Sequence, residues 1–154
     1  MIGEIDTSRV RRYSGHVAPI STTESVRKQL ADIGAEISDL RLLVLFGSLA
    51  RGLAGPRSDV DVAALSDGAT DLDALYMALA PRLKAARLDL VDLRRAGPLL
   101  AFQVARSGVT LFERSPGLFR EFQSLASRRY ADTKRLRDAQ QRSIQVFLGR
   151  EPQA

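Results

Sequence analysis

The sequence predicts an α/β domain in which a small sheet is flanked by helices and followed by a long C-terminal helix. Short apolar runs, typical of buried strands, alternate with longer segments whose apolar residues recur at helical spacing. The length of 154 residues and the 45% of apolar residues suit one domain with its own hydrophobic core. We therefore expect a single domain over residues 1–154.

The composition excludes several classes of protein and site. The apolar stretches, such as Leu42–Phe46, are much too short to cross a membrane. The acids Glu4 and Asp6 argue against a secretory signal at the N-terminus. Because the chain has no cysteine and His16 is its one histidine, we expect no disulfide, thiolate or zinc chemistry. The expected compartment is the cytoplasm.

The first part of the chain combines an irregular segment, a helix and strands. Residues 1–20 lack periodicity, and we expect a mobile arm or a late-docking segment there. A capping-box pattern at 21–24 opens a first helix, predicted from Thr22 to Ser38. Four apolar runs predict strands, the first of them covered on both faces: Leu40–Phe46, Val60–Leu65, Leu88–Leu93 and Val109–Phe112.

Further helices are predicted between and after these strands. Asp71 opens a helix that Pro81 should bend or end. Pro98 suits the first turn of a helix that reaches Ser107. Residues 117–148 carry a broken apolar stripe and should form a long amphipathic helix or a helix pair.

The C-terminal segment, residues 117–148, is also rich in arginine and contributes to the net charge of +5. This charge favours an anionic or acidic partner, although a solvated basic helix would have the same composition. The length of the apolar stripe favours a docking face for another subunit along part of the segment. Both interpretations stay open at this point.

One pattern carries the chemical information: Gly47-Ser48, ten further residues, then Asp59 and Asp61. In a strand, residues i and i+2 share a face, so the two carboxylates should point the same way. They repel each other unless a cation bridges them, and such oxygen ligands suit Mg²⁺ together with the phosphates of a nucleotide. The pattern therefore predicts a site for a metal-bound polyphosphate.

The residues that follow the first strand can hold the phosphates. Gly47 lets the backbone approach a phosphate closely because it lacks a Cβ atom. Ser48, at the start of a short helix through Arg51, presents a hydroxyl and neighbouring N–H groups to an anion. Arg51 and Arg57 can add charged hydrogen bonds. No P-loop or G-x-G-x-x-G pattern competes with this interpretation.

A third carboxylate should complete a two-metal site, and the run LDLVDL offers Asp89 and Asp92. Alternation places these two acids on opposite faces of their strand, so only one of them can join Asp59 and Asp61. We choose Asp89, because Asp92 lies close to Arg94-Arg95, where a surface ion pair is the simpler role.

At these residues the sequence resembles the DNA polymerase β-like nucleotidyltransferases, whose mark is G-S-x10-D-x-D with a later acid on a third strand. GSLARG and SDVDV are particularly similar to the small "minimal nucleotidyltransferase" (MNT) members, and the likeness spans roughly residues 24–114. The resemblance implies that family's fold, with a small mixed sheet. It also implies an antitoxin that pairs with a HEPN-domain ribonuclease toxin and transfers AMP from ATP to a tyrosine of that toxin.

The resemblance assigns a role to each residue of the pattern. Gly47 and Ser48 would bind the triphosphate, and Arg51, in the family's GSxARG, would contact a phosphate. Two Mg²⁺ ions would be held by three carboxylates: Asp59, Asp61 and Asp89. Of these, Asp89 would accept the proton of the attacking hydroxyl.

Alternative functions come from other classes. A binding-only antitoxin would block the toxin sterically through the C-terminal helix. A small-molecule adenylyltransferase would modify an antibiotic, but the chain offers no second substrate-binding domain. We do not expect nucleic acid as a direct substrate, because aromatic residues make up only 6% of the sequence and form no stacking cluster.

Overall fold

The computed structural model describes residues 10–14, 22–55, 58–83 and 87–149, and for 10–14 it describes only the backbone. Within these ranges the elements follow in this order: β1 Val10–Ser14, α1 Thr23–Gln29, α2 Ile33–Glu36, β2 Leu40–Phe46, α3 Gly47–Ala50, β3 Val60–Ser66, α4 Leu72–Leu83, β4 Arg87–Asp92, α5 Pro98–Ser107, β5 Val109–Glu113, α6 Leu118–Asp132 and α7 Lys134–Phe147.

The five described strands form one mixed sheet with the order β1-β4-β3-β2-β5. β3 and β4 are parallel, whereas the other neighbouring strands are antiparallel. The parallel pair requires a crossover, which α4 supplies, and it brings the beginnings of β3 and β4 to the same end of the sheet. The predicted mixed sheet is confirmed, and all four predicted strands lie within one residue of their expected bounds.

Helices cover both faces of the sheet, and a hydrophobic core lies on each side. The first core joins alternate strand residues to α1, α2, α3 and α4, and includes Val26, Leu30, Ile33, Leu43, Leu45, Leu49, Val60, Val62, Leu75, Leu79, Leu88 and Leu90. The second core faces α5 and α6, and includes Leu42, Val44, Ala63, Val91, Leu93 and Val104. β2 contributes to both cores, so its predicted burial on two faces is confirmed.

Two helices, α1 and α2, replace the single helix predicted over 22–38. Thr22 caps α1, because its side-chain oxygen accepts the N–H of Ser25 at 3.2 Å. The chain then turns before α2, and Leu30 and Ile33 are both fully buried in the first core. A continuous helix was the wrong prediction because the apolar spacing is compatible with either course of the backbone.

The C-terminal segment is a helix pair, so the single long helix of the predicted fold is corrected. α6 ends at Asp132 and α7 begins at Lys134. At the junction Arg137 donates to the hydroxyl of Thr133 and to the carbonyl oxygen of Tyr130. These side-chain hydrogen bonds satisfy groups at the end of α6 and stabilise the interruption.

The structure describes only part of residues 1–20, for which a mobile arm or a late-docking segment is predicted. Residues 10–14, inside the expected arm 1–20, form the edge strand β1 and pair with β4. Residues 1–9 and 15–21 lie outside the described ranges, as does Arg57. Pro81 lies within α4, whose described part ends at Leu83. Among the helices that the structure describes, none has the length and apolar character needed to span a membrane.

Candidate active site

Three carboxylates lie on one face of the sheet where β3 and β4 begin. Val60 and Val62 are buried in the first core, so alternation along β3 turns Asp59 and Asp61 to the opposite face. Asp89 is the register partner of Asp61 across the parallel pair, and both side chains therefore lie on the same face of the sheet. The structure thus brings together the three acids that the sequence analysis selected.

Gly47 packs directly against one of these carboxylates. Its backbone has a φ of +74°, and a Cβ atom added there would lie 2.1 Å from Oδ2 of Asp61. Both the dihedral angle and the space therefore require glycine. Leu49, which is only 2% exposed, anchors α3 in the first core and holds the turn in this place.

Ser48 and Arg51 lie on the turn that follows. Ser48 is the second residue of α3, and its carbonyl oxygen accepts the N–H of Leu53 at 2.9 Å, which folds the chain back after the helix. The Nε of Arg51 donates to the carbonyl oxygen of Gly47 at 3.3 Å. This hydrogen bond keeps an exposed guanidinium close to the glycine and to Asp61.

A cleft of about 490 Å³ opens beside the turn, which is within the usual size of a small-ligand site. One wall contains Gly47, Arg51 and Asp61, whereas the opposite wall comes from the C-terminal half of α5. The lining residues are Phe46, Gly47, Arg51, Asp61, Gln103, Arg106 and Ser107. With a guanidinium on each wall and a carboxylate between them, the cleft suits an anion that arrives with a metal ion.

The sequence analysis missed the α5 residues and also Arg87. Nη1 of Arg87 lies 3.5 Å from Oδ2 of Asp59, and its Nε lies 3.6 Å from Oδ1 of Asp89. One guanidinium therefore contacts two of the three carboxylates. No local signal distinguishes Arg87 from the other arginines, because its position follows from the pairing of β3 with β4.

The three carboxylates are the candidate ligands for a metal ion. Within the described ranges, no three His, Cys, Asp or Glu side chains are grouped as they would be around an ion. The donor set nevertheless has the right chemistry, because Asp59, Asp61 and Asp89 present hard oxygen ligands on one face of two adjacent strands. Their oxygen atoms are of the kind that Mg²⁺ binds, and the guanidinium of Arg87 lies between two of these side chains.

Asp92 serves the opposite face of the sheet, as alternation predicts, but its expected role was wrong. It is 3% exposed, so it lies beneath the surface and not in a surface ion pair. Its carboxylate accepts hydrogen bonds from the hydroxyl of Thr70 at 3.2 Å and from the N–H of Arg94 at 3.0 Å. Asp92 is therefore a buried acceptor that ties the segment after β3 to the end of β4.

Comparisons with known proteins identify the family of this chain. The family model described as polymerase beta, nucleotidyltransferase matches residues 28–117, a range that contains every site residue named above. The protein adenylyltransferase MntA of Aphanizomenon flos-aquae (strain 2012/KM1/D3) is 28% identical in an alignment of 145 residues that covers 85% of this chain and 95% of MntA.

Solved structures match the chain over most of its length. A crystal structure of a toxin–antitoxin with AMP-PNP contains a chain with 30% identity and a TM-score of 0.64, covering 79% of this chain and 96% of that one. A structure of the tri-AMPylated Shewanella oneidensis HEPN toxin in complex with MNT antitoxin contains a chain with 27% identity and a TM-score of 0.62, with coverage of 79% and 96%.

Proposed function

This chain belongs to the polymerase β nucleotidyltransferase family, and from that premise we propose that it is an antitoxin protein adenylyltransferase. It transfers AMP from ATP to a tyrosine hydroxyl of a cognate HEPN toxin and thereby neutralises the toxin. The observation that carries the proposal is the register pairing of Asp61 with Asp89 beside Gly47, at the mouth of a cleft of nucleotide size.

The relatives support a HEPN toxin as the acceptor of AMP and ATP as its donor. MntA, which the chain matches over nearly its whole length, is itself a protein adenylyltransferase. The similar structures hold AMP-PNP in one case and a tri-AMPylated HEPN toxin in the other. With a toxin hydroxyl as acceptor, the partner protein brings its own folded surface to the cleft. We propose the cytoplasm as the compartment.

The nucleotide would lie between the turn after β2 and the end of α5. The Gly47–Ser48 turn approaches the triphosphate, and Arg51 contributes charge from the same wall. Arg106 faces them from α5 and adds a second positive charge to the cleft. These groups hold the α-phosphorus in one orientation, and such positioning supplies much of the rate in phosphoryl transfer.

Asp59, Asp61 and Asp89 would hold Mg²⁺. Two bound ions supply positive charge to the attacking and the leaving oxygen. In the reaction the acceptor oxygen forms a bond to the α-phosphorus, the bond from that phosphorus to the pyrophosphate oxygen breaks, and pyrophosphate leaves. Asp89, which is 8% exposed and the most enclosed of the three acids, would take up the proton of the hydroxyl.

The test is to mix the protein with its cognate HEPN toxin, ATP and Mg²⁺ and to measure the intact mass of the toxin. We expect one or more AMP increments on the toxin, located on tyrosine by peptide mapping. Asp61→Asn should abolish them, and Asp32→Asn, which removes an exposed carboxylate far from the cleft, should not. A toxin of unchanged mass in the presence of folded wild-type protein would contradict the proposal.

A binding-only antitoxin is the second candidate, and α7 is the observation that favours it. None of the residues of α7, all of which the structure describes, is buried. Its Leu136, Ile144 and Phe147 are 60%, 57% and 89% exposed. If the double variant Asp59→Asn/Asp61→Asn still neutralises the toxin in cells, steric binding is sufficient and AMP transfer is dispensable.

A further inference from the structure

The guanidinium of Arg87 lies between two of the three candidate metal-binding carboxylates. Its two contacts, at 3.5 Å to Asp59 and 3.6 Å to Asp89, come from different nitrogens of the same guanidinium. Arg87 and Asp89 are residues i and i+2 of β4, so both side chains leave the strand on the same face. β4 therefore places the positive charge of Arg87 beside the acids on that face.

The charges at this edge explain why a cation is present. Three carboxylates on one face of two adjacent strands repel one another unless positive charge lies between them. A guanidinium is suited to the task, because its planar fork can contact two carboxylates at once. The neighbours of Arg87 are held on a paired strand, whereas its own side chain is 41% exposed. The guanidinium can therefore move into solvent without disturbing the backbone.

We propose that Arg87 is a built-in counterion that competes with divalent metal for Asp59 and Asp89. The inference rests on the proposed function, because it takes the three carboxylates to be the metal-binding groups. Arg87 stabilises the metal-free protein and must withdraw when an ion enters. It is a positioning residue, which acts through the two carboxylates and sets the metal concentration at which the site fills.

The proposal has an uncommon signature: removal of a charged residue from the site should strengthen metal binding. A residue that only supports the fold would weaken binding or leave it unchanged when replaced. A residue that only contacts the nucleotide would leave the affinity for metal unchanged in the absence of nucleotide. Metal affinity measured without ATP therefore separates the counterion role from the other two.

The experiment measures Mn²⁺ binding to the nucleotide-free protein by titration calorimetry, with free Mn²⁺ followed by electron paramagnetic resonance. We expect Arg87→Gln to bind Mn²⁺ about 10-fold more tightly than wild type, since two partly exposed charge contacts are removed. Arg87→Lys keeps the charge but loses the fork, and we expect about a threefold gain. Arg82→Gln removes an arginine that pairs with Glu36 outside the site, and its affinity should match wild type.

Thermal stability gives an independent readout. Without metal, Arg87→Gln should melt below wild type because its carboxylates repel, and saturating Mn²⁺ should raise its Tm by more than it raises that of wild type. If Arg87→Gln does not fold without metal, the Arg87→Lys titration decides alone. An unchanged or weaker Mn²⁺ affinity in the folded Arg87 variants would overturn the proposal.

Asp61→Asn separates this inference from the proposed function. If Asp61→Asn loses Mn²⁺ binding while the Arg87 variants bind like wild type, only the counterion role is refuted. If Asp61→Asn binds Mn²⁺ as wild type does, the carboxylates do not hold the metal. The metal site and the counterion proposal then fail together, whatever the Arg87 variants do.

Discussion

Gly47→Ala tests whether the glycine makes room for the carboxylate beside it. A φ of +74° costs a residue with a side chain about 1–2 kcal/mol. The added Cβ atom would stand 2.1 Å from Oδ2 of Asp61, where ordinary contact begins at 3.4 Å. The carboxylate must then retreat by more than about 1 Å, a misplacement that costs on the order of 100-fold in rate. We expect AMP transfer to slow by about that factor.

Gly52→Ala is the matched control, because Gly52 lies in the same turn region with a φ of +70° and no heavy atom within 4 Å of an added Cβ. It carries the backbone strain without the collision. Both variants should therefore lose roughly 2–8 °C in Tm, while only Gly47→Ala loses rate. The assay follows the intact mass of the toxin over time at saturating ATP. Equal rates for the two variants would refute the role given to Gly47.

Three further predictions concern the frame around the site. Gly34→Ala places a Cβ atom 2.1 Å from the ring of Phe112 and should cost about 1–3 kcal/mol in denaturant unfolding, with AMP transfer unaffected; an unchanged midpoint would contradict this. Asp92→Ala removes a buried acceptor, so we expect a loss of about 1–3 kcal/mol but a rate within threefold of wild type, and a large loss of rate would reassign Asp92 to catalysis. The hydrogen bond from Lys134 lowers the pKa of Asp138 below 3.8. Wild type should therefore be slightly more stable than Asp138→Asn at neutral pH, and this difference should vanish as the pH falls through that lowered pKa. Circular dichroism melting of both proteins measures it.

The strands and the carboxylates could be predicted because their signals are local. Val60 and Val62 alternate with Asp59 and Asp61, so a few neighbouring residues are enough to predict both a strand and a shared acidic face. The same alternation separates Asp89 from the acid three residues later. Hydrophobic burial dictates these choices at short range, and the structure follows them within one residue.

The other half of the site depends on packing between distant segments. Gln103 and Arg106 line the cleft because α5 packs across β2 in the second core. The sequence around them contains no motif that predicts a ligand-binding role. Arg87 meets Asp59 only through the register of β3 and β4. The break before α2 was missed for a related reason, since a helix and a helix–turn–helix can bury the same apolar residues.

The parallel pairing of β3 with β4 has a consequence for synthesis on the ribosome. The acids of β3 acquire their partner only after the crossover helix and β4 have emerged, and the far side of the cleft needs α5 as well. No fragment that ends before residue 107 contains the whole reaction centre. A nascent or truncated chain would therefore not transfer AMP. Translation must pass α5 before a molecule can become active.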